Sequence, residues 1–329
     1  MIIKDRVYGK ITVNESVLID LINSVPLQRL KRIKQAGISG YIVPFKKTIT
    51  RFEHSVGVMF LLRKFGGVLK EQIAGLLHDV SHTAFSHVVD FVFPNKEHTF
   101  HEWHYRDMIV KTEIATILKR HNYKPEDFLN QKQFTLLEKE IPDLCADRID
   151  YFLRDRNARL GKKGDQDHLL KYLKNYNNEF FFTNEKIALK FANDYLYQNK
   201  VSWYSPEEGY CYIFFAKILK NALNKNLLTK RDLFADDETV WKKLRGSNDK
   251  QIKKELSLLF KPMKFKLKKV KDSILIKSKP RYIDPKILKG KKLQRLSALN
   301  NDFKNGLQKE IEWMKKGFWV KATFSSSRI

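Results

Sequence analysis

The sequence is poor in cysteine, glycine and proline, and it has no long hydrophobic run. Its 329 residues include 2 cysteines, so a disulfide framework is excluded and a reducing compartment such as the cytoplasm is expected. The 14 glycines and 9 prolines form no low-complexity linker. No run of about 18 apolar residues occurs, and the first residues lack the apolar core of a signal peptide. We therefore expect a soluble, cytoplasmic protein without a membrane partner.

Acidic residues are scarce relative to basic ones. The chain has 37 Asp and Glu against 63 Lys and Arg, a formal net charge of +26. Such a surface attracts polyanions, which include nucleotides and nucleic acid. Between Lys261 and Arg295, 14 basic residues stand against 2 acidic ones. This basic run predicts binding of nucleic acid or regulatory nucleotides, or else a solvated β-ribbon, and both interpretations stay open.

Apolar residues recur at helical spacing through much of the sequence. Hydrophobic residues make up 43% of the chain, enough for a sizeable core. Apolar positions at helical spacing predict helices at about 51–65, 69–79, 125–139, 142–156, 185–200 and 206–225. After residue 226 the pattern predicts further helices to about 259, a strand pair over 264–277, a helix near 298–316 and a last strand. We predict a mainly α fold, with a helical core over residues 1–226, a small basic α+β appendage over residues 227–329, and a soft boundary.

Seven of the 9 histidines lie between Arg51 and His104, a density that needs a reason. Imidazole both ligates metals and exchanges protons near neutral pH. Asp79 follows His78 directly, and such mixed nitrogen and oxygen ligands predict a hydrolytic metal centre holding Mn, Fe, Ni, Zn or Co rather than Ca. For any one histidine the alternative is a buried structural role, which the clustering disfavours. The histidines of this stretch are His54, His78, His82, His87, His98, His101 and His104.

A second group of acidic residues occurs in the sequence DLCADRIDYFLRD, residues 143–155. Asp147, Tyr151 and Asp155 recur at every fourth position, so they share one stripe of a helix, with Asp150 and Arg154 beside it. This stripe predicts either one wall of a binding cleft or a surface helix with charge pairs. The spacing alone leaves the two open.

Four motifs, RFEH, HDVSHTAFSH, FHEWH and ADRIDYFLRD, stand in the order typical of one family. In this the chain resembles the HD-domain phosphohydrolases, and among them the deoxynucleoside triphosphate triphosphohydrolases. The likeness runs from about Pro26 to Lys200, and beyond it only residues 281–285 are loosely similar. The resemblance implies an HD-domain helical core, a nucleotide substrate, a divalent metal (with Mg²⁺ also admitted) and a homo-oligomer. The implied activity is metal-dependent hydrolysis of nucleoside triphosphates to nucleoside and tripolyphosphate.

The resemblance also implies roles for individual residues. Arg51 matches a phosphate-contacting arginine, and Glu102 would orient a neighbouring imidazole. One of His82, His87 and His101 would protonate the leaving 5′-oxygen, and the residue types do not decide which. The implied metal ligands are His54, His78, Asp79 and Asp147. The implied substrate-binding residues are Arg148 at phosphate, Tyr151 and Asp155 at the sugar, and Gln35, Tyr197 and Gln198 at the sugar and base.

Two departures from the family pattern affect these expectations. Ala36 stands where a vertebrate member has a leucine against the sugar, so discrimination against ribonucleotides is expected to be relaxed. Asn199 replaces a histidine in a Tyr-Gln-His-Lys run. The alternatives are an HD phosphodiesterase or phosphomonoesterase acting on another nucleotide, a nuclease that uses the basic run, and a nucleic-acid-binding protein with a vestigial HD core.

Overall fold

The computed structural model describes residues 1–43, 49–93, 104–160, 165–277 and 280–324, and helices dominate them. The chain opens with an antiparallel hairpin of β1 (Ile2–Asp5) and β2 (Gly9–Thr12). The helices that follow, up to residue 224, are α1 (Ser16–Asn23), α2 (Val25–Arg29), α3 (Ser39–Ile42), α4 (Arg51–Lys64), α5 (Leu69–Leu77), α6 (Val88–Val92), α7 (Tyr105–Lys111), α8 (Glu113–Arg120), α9 (Ala146–Leu160), α10 (Gln166–Lys171), α11 (Glu185–Gln198) and α12 (Pro206–Asn224).

The later part of the chain mixes helices with short strands. Its helices are α13 (Lys230–Leu233), α14 (Asp237–Gly246), α15 (Lys250–Leu259), α16 (Leu296–Leu299) and α17 (Asn301–Lys316). The remaining strands are β3 (Leu173–Tyr176), β4 (Glu179–Phe182), β5 (Met263–Lys266), β6 (Ile274–Ile276), β7 (Lys286–Lys289), β8 (Lys292–Arg295) and β9 (Phe318–Phe324). The predicted fold class, mainly α with a small α+β C-terminal part, is confirmed.

The strands after β2 form two small sheets. One has the order β3-β4-β7-β8, in which β4 and β7 run parallel and the other neighbours antiparallel. The other has the order β5-β9-β6, and the last strand lies between the two others. The predicted strand pair over residues 264–277 is therefore wrong in its pairing, because β5 and β6 each bond to β9 instead of to each other.

Buried apolar side chains gather in one large and two smaller clusters. The large cluster lies among α1, α4, α5, α8, α9 and α11 and includes Leu18, Leu61, Ile73 and Phe152. A second packs α6 against α12, α14 and α15, around Phe85 and Phe215. A third joins the beginning of α12 to β6, α17 and β9. The C-terminal part is therefore packed onto the helices that precede it.

The prediction of a helix at about residues 125–139 is wrong. The chain there forms two 3₁₀ turns, Pro125–Phe128 and Gln131–Gln133, followed by an irregular segment. Its backbone groups bond to distant partners, since Leu136 N donates to Glu71 Oε1 at 2.9 Å and Leu136 O accepts from Ala146 N at 2.8 Å. Tertiary hydrogen bonds override the local helical periodicity here. No helix within the described ranges combines the length and apolar character that a membrane crossing requires.

Candidate active site

Thr50 caps the beginning of helix α4, and the first turn of this helix carries two of the predicted site residues. The Thr50 hydroxyl accepts a hydrogen bond from Glu53 N, and the Glu53 carboxylate accepts one from Thr50 N, which completes a capping box. Arg51 and His54 stand three residues apart on this fixed turn, and both are buried. The start of the helix therefore aims both side chains into the interior.

Three helices bring the predicted metal-binding side chains together. Helix α5 ends just before His78 and Asp79, and Asp147 lies in the first turn of α9. His54 Nε2 lies 2.9 Å from Asp147 Oδ1, 3.3 Å from His78 Nε2 and 3.7 Å from Asp79 Oδ2. His78 Nε2 lies 3.5 Å from Asp79 Oδ1 and 3.6 Å from Asp147 Oδ1. Two imidazole nitrogens and two carboxylates thus converge on one small volume, which we call the His-Asp cluster.

The second nitrogen of each imidazole is held by a different acceptor. His54 Nδ1 lies 2.7 Å from Asp150 Oδ2, and His78 Nδ1 lies 2.8 Å from the Gly75 carbonyl oxygen. Because both partners accept hydrogen bonds, we assign the Nδ1 proton to each ring, which turns Nε2 toward the cluster. Imidazoles oriented in this way, together with two carboxylates, fit a divalent transition metal.

Charges within the cluster shift the pKa values of its members. Burial opposes a charge on His54, but hydrogen bonds to Asp147 and Asp150 outweigh it and raise the pKa of the ring to about 10. Burial would raise the pKa of Asp79, yet Arg51 and then His78 hold it well below its ordinary value. The carboxylates therefore stay negative and favour a cation among them, either a proton on an imidazole or a metal ion.

Arg51, His82 and His87 flank the His-Asp cluster. Arg51 Nη1 donates to Asp79 Oδ2 at 2.7 Å, and its Nε donates to Ser86 Oγ at 3.0 Å. His82 Nε2 lies 3.2 Å from Asp79 Oδ1, and its ring meets that of His87 edge-on, with centroids 4.9 Å apart. One permanent cation and two rings that exchange protons are therefore available beside the cluster.

The turn between these two histidines has an unusual backbone. Phe85 and Ser86 have φ values of 58° and 53°, a region that non-glycine residues rarely adopt. Phe85 N donates to Asp237 Oδ1 at 2.6 Å, and Ser86 Oγ donates to Lys34 O at 2.7 Å. These bonds fix the turn that returns His87 to the wall of the same cavity as His82.

The His-Asp cluster lies in a cavity of about 710 Å³, a volume typical of small-molecule sites. Tyr151 and Asp155 of α9 also line it, which agrees with the first of the two interpretations of that stripe, and so does Gln35. The hydroxyls of Tyr151 and Tyr195 are hydrogen bonded, and Trp203 Nε1 donates to Asp155 Oδ2 at 2.5 Å. The cavity therefore joins a metal-binding cluster to a wall of aromatic rings and a carboxylate.

Arg148 also lines the cavity, but the protein itself uses much of its hydrogen-bonding capacity. Its guanidinium donates to the carbonyl oxygens of Asp143 and Lys139, the latter at 3.0 Å. It also lies 3.6 Å from Glu138 Oε1. The predicted phosphate contact by Arg148 therefore requires that substrate compete with these partners.

Tyr197 and Gln198 are not among the described residues that line the cavity. The Tyr197 ring is 53% exposed and lies under the Arg159 guanidinium, while Gln198 is buried and accepts a hydrogen bond from Arg159 Nε at 2.7 Å. Tyr195 stands on the cavity wall instead, because residues two apart point to different sides of a helix. The predicted residues His101 and Glu102 lie outside the described ranges.

The cavity also contains polar residues that the motifs did not single out. The periodicity of buried residues in α11, which includes Phe191 and Ala192, could have identified Tyr195 as facing inward. Arg281 belongs to the basic run that the sequence analysis described, but its location in the cavity was not predicted. The other polar lining residues that the motifs missed include Glu138, Glu208, Tyr212 and Lys277.

Comparison with known proteins identifies relatives of this arrangement. The family model of the HD domain matches residues 51–155, the stretch that carries the His-Asp cluster. The uncharacterized protein YdhJ of Bacillus subtilis is 38% identical over 98% of this chain and 99% of its own length. The metal-dependent phosphohydrolase cns2 of Cordyceps militaris is 30% identical over 79% of this chain and 77% of its own length.

More distant proteins are similar in part of the chain or in fold. The deoxynucleoside triphosphate triphosphohydrolase SAMHD1 homolog of Dictyostelium discoideum is 29% identical over 56% of this chain and 42% of its own length. A crystal structure of a phosphohydrolase from Bacteroides thetaiotaomicron superposes with a TM-score of 0.75 at 18% identity, covering 97% of this chain and 98% of its own. At that identity the likeness shows a shared fold alone.

Proposed function

Because the chain belongs to the HD-domain family of metal-dependent phosphohydrolases, we propose that it hydrolyses nucleoside triphosphates, deoxynucleotides among them, to nucleoside and tripolyphosphate. One observation carries the proposal. The same cavity holds the His-Asp cluster, an arginine, two further histidines, and a wall with tyrosine and aspartate side chains of the kind that contact a sugar. The likeness to a triphosphohydrolase homolog adds support.

We assign the divalent metal to His54, His78, Asp79 and Asp147, whose mixed donors suit Mn, Fe, Ni, Zn or Co, with Mg²⁺ also admitted. When bound there, the metal would supply Lewis acidity to a phosphate and to water. Asp150 and the Gly75 carbonyl orient the two imidazoles. The protein's own contribution at this point is to hold four donors in place before the substrate arrives.

The remaining residues bind substrate and move a proton. A water molecule loses a proton as its oxygen bonds to the α-phosphorus, the bond from that phosphorus to the 5′-oxygen breaks, and the 5′-oxygen takes a proton. Arg51 stabilises the charge that develops on the phosphate, and His82 or His87, or the predicted His101, donates the proton. Glu102 is assigned to orient an imidazole.

The aromatic part of the cavity binds the nucleoside in this proposal. Tyr151 and Asp155 contact the sugar and its 3′-hydroxyl, and Gln35 lies beside the base and sugar. Ala36 lines the cavity and offers a methyl group in place of a bulkier side chain, so ribonucleotides are accepted as well. Tyr195 lines the cavity, whereas the predicted Tyr197 and Gln198 do not. We therefore propose that Tyr195 contacts the base in their place.

Nucleic acid is the second candidate substrate, and the basic run favours it. Lysines of this run, including Lys264, Lys266 and Lys268, are exposed on and after β5. Binding through them would release counterions and weaken steeply as salt concentration rises.

Homo-oligomer formation stays a prediction.

Product analysis tests the proposed function. The protein is incubated with Mn²⁺ or Mg²⁺ and each common deoxy- and ribonucleoside triphosphate, and the products are separated by chromatography. We expect nucleoside and tripolyphosphate from the wild type, and a loss of at least about 1,000-fold in turnover for Asp79→Ala because a metal ligand is removed. The circular dichroism spectrum of the variant checks that its fold is kept.

Three results would contradict the proposal. Phosphate or pyrophosphate as the released product would indicate a different bond cleavage. Undiminished turnover in folded Asp79→Ala would remove the His-Asp cluster from the reaction. No turnover of triphosphates, combined with salt-sensitive cleavage of an oligonucleotide, would favour the nuclease.

A further inference from the structure

Three arginines line the described part of the cavity, and they differ in how they are paired. Arg51 donates to Asp79 and Ser86, and Arg148 donates to two backbone carbonyl oxygens. Arg281 makes no hydrogen bond or ion pair to any other described residue. A half-buried guanidinium without an acceptor among the described residues, in the cavity proposed to bind the triphosphate, is available to a ligand.

The surroundings of Arg281 place its charge inside the binding space. Its guanidinium carbon lies 6.0 Å from the centroid of the Tyr151 ring. Burial disfavours its charge, but the oxygens of Tyr151, Tyr195 and Tyr212 favour it, and the pKa of Arg281 is raised. The Asp147 carboxylate of the His-Asp cluster also interacts electrostatically with this guanidinium. Arg281 therefore stays charged close to the cluster, and no carboxylate of the described ranges neutralises it in a salt bridge.

Arg281 and Arg51 act on the same part of the cavity from different regions of the chain. Both guanidinium groups interact electrostatically with the hydroxyl of Tyr212, which lines the cavity on α12. Arg51 comes from the beginning of α4 in the HD-domain segment, whereas Arg281 belongs to the basic run and lies between β6 and β7. A polyanion bound beside the His-Asp cluster would therefore meet one cation from each region.

The backbone on both sides of Arg281 is anchored to the helical core. Upstream, strand β6 packs closely on α12, since a Cβ atom placed on Gly209 would lie 2.5 Å from Ile276 Cγ2. Downstream, Asp284 N donates to Pro142 O at 3.0 Å, and Arg295 pairs with the Asp143 carboxylate. These anchors hold the segment against the loop that precedes α9. The position of Arg281 at the cavity is therefore built into the fold.

We propose that Arg281 is a substrate-binding residue that holds the outer phosphates of the triphosphate, so that the basic C-terminal region completes the site. The proposal rests on the proposed function and names the group that would bind the phosphate chain beyond the metal. A planar guanidinium suits this task because it donates two parallel hydrogen bonds to phosphate oxygens. The presence of Lys277 on the same cavity wall adds a second positive charge.

Titration calorimetry with inorganic tripolyphosphate tests this role without requiring turnover. The metal-loaded protein is titrated in buffer with excess Mg²⁺, and its metal content is measured before and after. We expect Arg281→Ala to weaken tripolyphosphate binding by roughly 10- to 100-fold. Arg281→Lys should recover part of the affinity, because it keeps the charge but loses the bidentate geometry. Lys309→Ala removes an exposed charge from α17, outside the basic run, and should leave the affinity unchanged.

A second measurement separates binding from stability and from the proposed reaction. The melting temperature of Arg281→Ala should match that of the wild type, because no described residue loses a hydrogen bond. For a triphosphate that is hydrolysed, KM should rise more than kcat falls, since the contact is to the non-reacting phosphates. Failure of all triphosphates as substrates would overturn the proposed function, while the tripolyphosphate titration would still decide the role of Arg281.

The proposal about Arg281 is overturned by either of two results. The wild type binds no tripolyphosphate, or Arg281→Ala binds it within about twofold of the wild type. Hydrolysis of nucleotides to tripolyphosphate together with unchanged affinity in Arg281→Ala would keep the proposed reaction and reject this residue.

Discussion

Asp150 connects the His-Asp cluster to the interior of the protein. One carboxylate oxygen lies 2.7 Å from His54 Nδ1 and accepts from Arg154 Nε at 2.7 Å, and the other accepts from Tyr8 at 2.8 Å. Arg154 in turn donates to Asp5 at 2.8 Å. All these side chains are largely or fully buried, so the ion pairs are little screened by solvent. Asp150 is thus a positioning residue for the proposed metal ligand His54.

We predict that Asp150→Asn lowers the affinity for divalent metal by roughly 10- to 100-fold, because the amide accepts a weaker hydrogen bond from His54. Competition with a chelating dye measures the affinity without any assay of turnover. Asp194→Asn is the matched control, since Asp194 also pairs with an arginine, Arg156, but away from the cluster. Equal metal affinities of the two variants would show that Asp150 does not orient His54.

At the scale of single residues, the sequence predicted several of the side chains that meet at the cavity but not how they are supported. The order of the motifs predicted that Arg51, His54 and Asp147 would share one site. The three side chains line the same cavity, and their roles there stay predictions. The role of Asp150 could not be predicted because Tyr8 and Asp5, which hold its network, come from a hairpin far away in the chain.

Helix α4 carries the proposed metal ligand His54, and a glycine on the same helix allows Asp150 and Arg154 to approach it. Gly57 lies one turn after His54 on this helix, and a Cβ atom there would lie 2.0 Å from Arg154 Nη2 and 2.1 Å from Asp150 Oδ1. Both of those groups belong to α9, so the glycine lets the two helices come close enough for the buried network to form. The close contact between α4 and α9 therefore depends on a missing side chain.

Gly57→Ala is expected to destabilise the protein by about 1–3 kcal/mol, although alanine is intrinsically the better helix former. It should also weaken metal binding, since the displaced carboxylate of Asp150 no longer orients His54. Gly306→Ala lies in the exposed part of α17, where the new methyl group meets no described atom within 4 Å apart from the adjacent helix backbone, and it should stabilise the protein by about 0.5–1 kcal/mol. Chemical denaturation of both variants measures the contrast, and a stabilising effect at residue 57 would contradict the packing argument.

At the scale of elements, local patterns predicted the long helices better than the strands. Helix α4 matched its prediction because its Thr50 cap and its apolar positions are local features. The strand at residues 318–324 was expected, but its place between β5 and β6 depends on contacts 40 or more residues apart along the chain. The pairs β3-β4 and β7-β8 were missed because their runs are four residues long and polar in part.

At the scale of the whole molecule, residues 233–237 attach the later helices to the site. Ala84 N donates to Leu233 O at 2.8 Å, and Arg29 donates to the Phe234 and Ala235 carbonyl oxygens at 3.1 and 2.7 Å. The predicted boundary near residue 226 stays a prediction. It falls between α12 and α13, whose buried side chains belong to one hydrophobic cluster. The part of the chain beyond it therefore helps to shape the active site.

Asp237 is the charged member of this attachment, and it is fully buried. Its carboxylate accepts from Lys34 N at 2.9 Å, Tyr41 Oη at 3.0 Å and Phe85 N at 2.6 Å. Burial raises the pKa of Asp237 to about 7 in spite of these donors. An aspartate in the unfolded chain has a pKa of about 3.9, so the folded state binds the proton more tightly. The contribution of this group to stability is full below about pH 4 and is lost as the pH rises through about 7.

Asp237→Asn should lower the free energy of unfolding by about 1–3 kcal/mol, because the new NH₂ group leaves a buried N–H without an acceptor. It should also remove the titration, so the stability advantage of the wild type over the variant shrinks between pH 5 and pH 8. Asp236→Asn is the matched control, since asparagine also caps helices and the Arg32 pair that it weakens is partly exposed. Urea unfolding of the wild type and both variants at each pH measures these free energies. If the stability advantage of the wild type over Asp237→Asn is constant or grows with pH, Asp237 is ionised throughout.

Because Asp237 also holds the Phe85 turn between His82 and His87, Asp237→Asn should reduce turnover by more than its unfolded fraction accounts for.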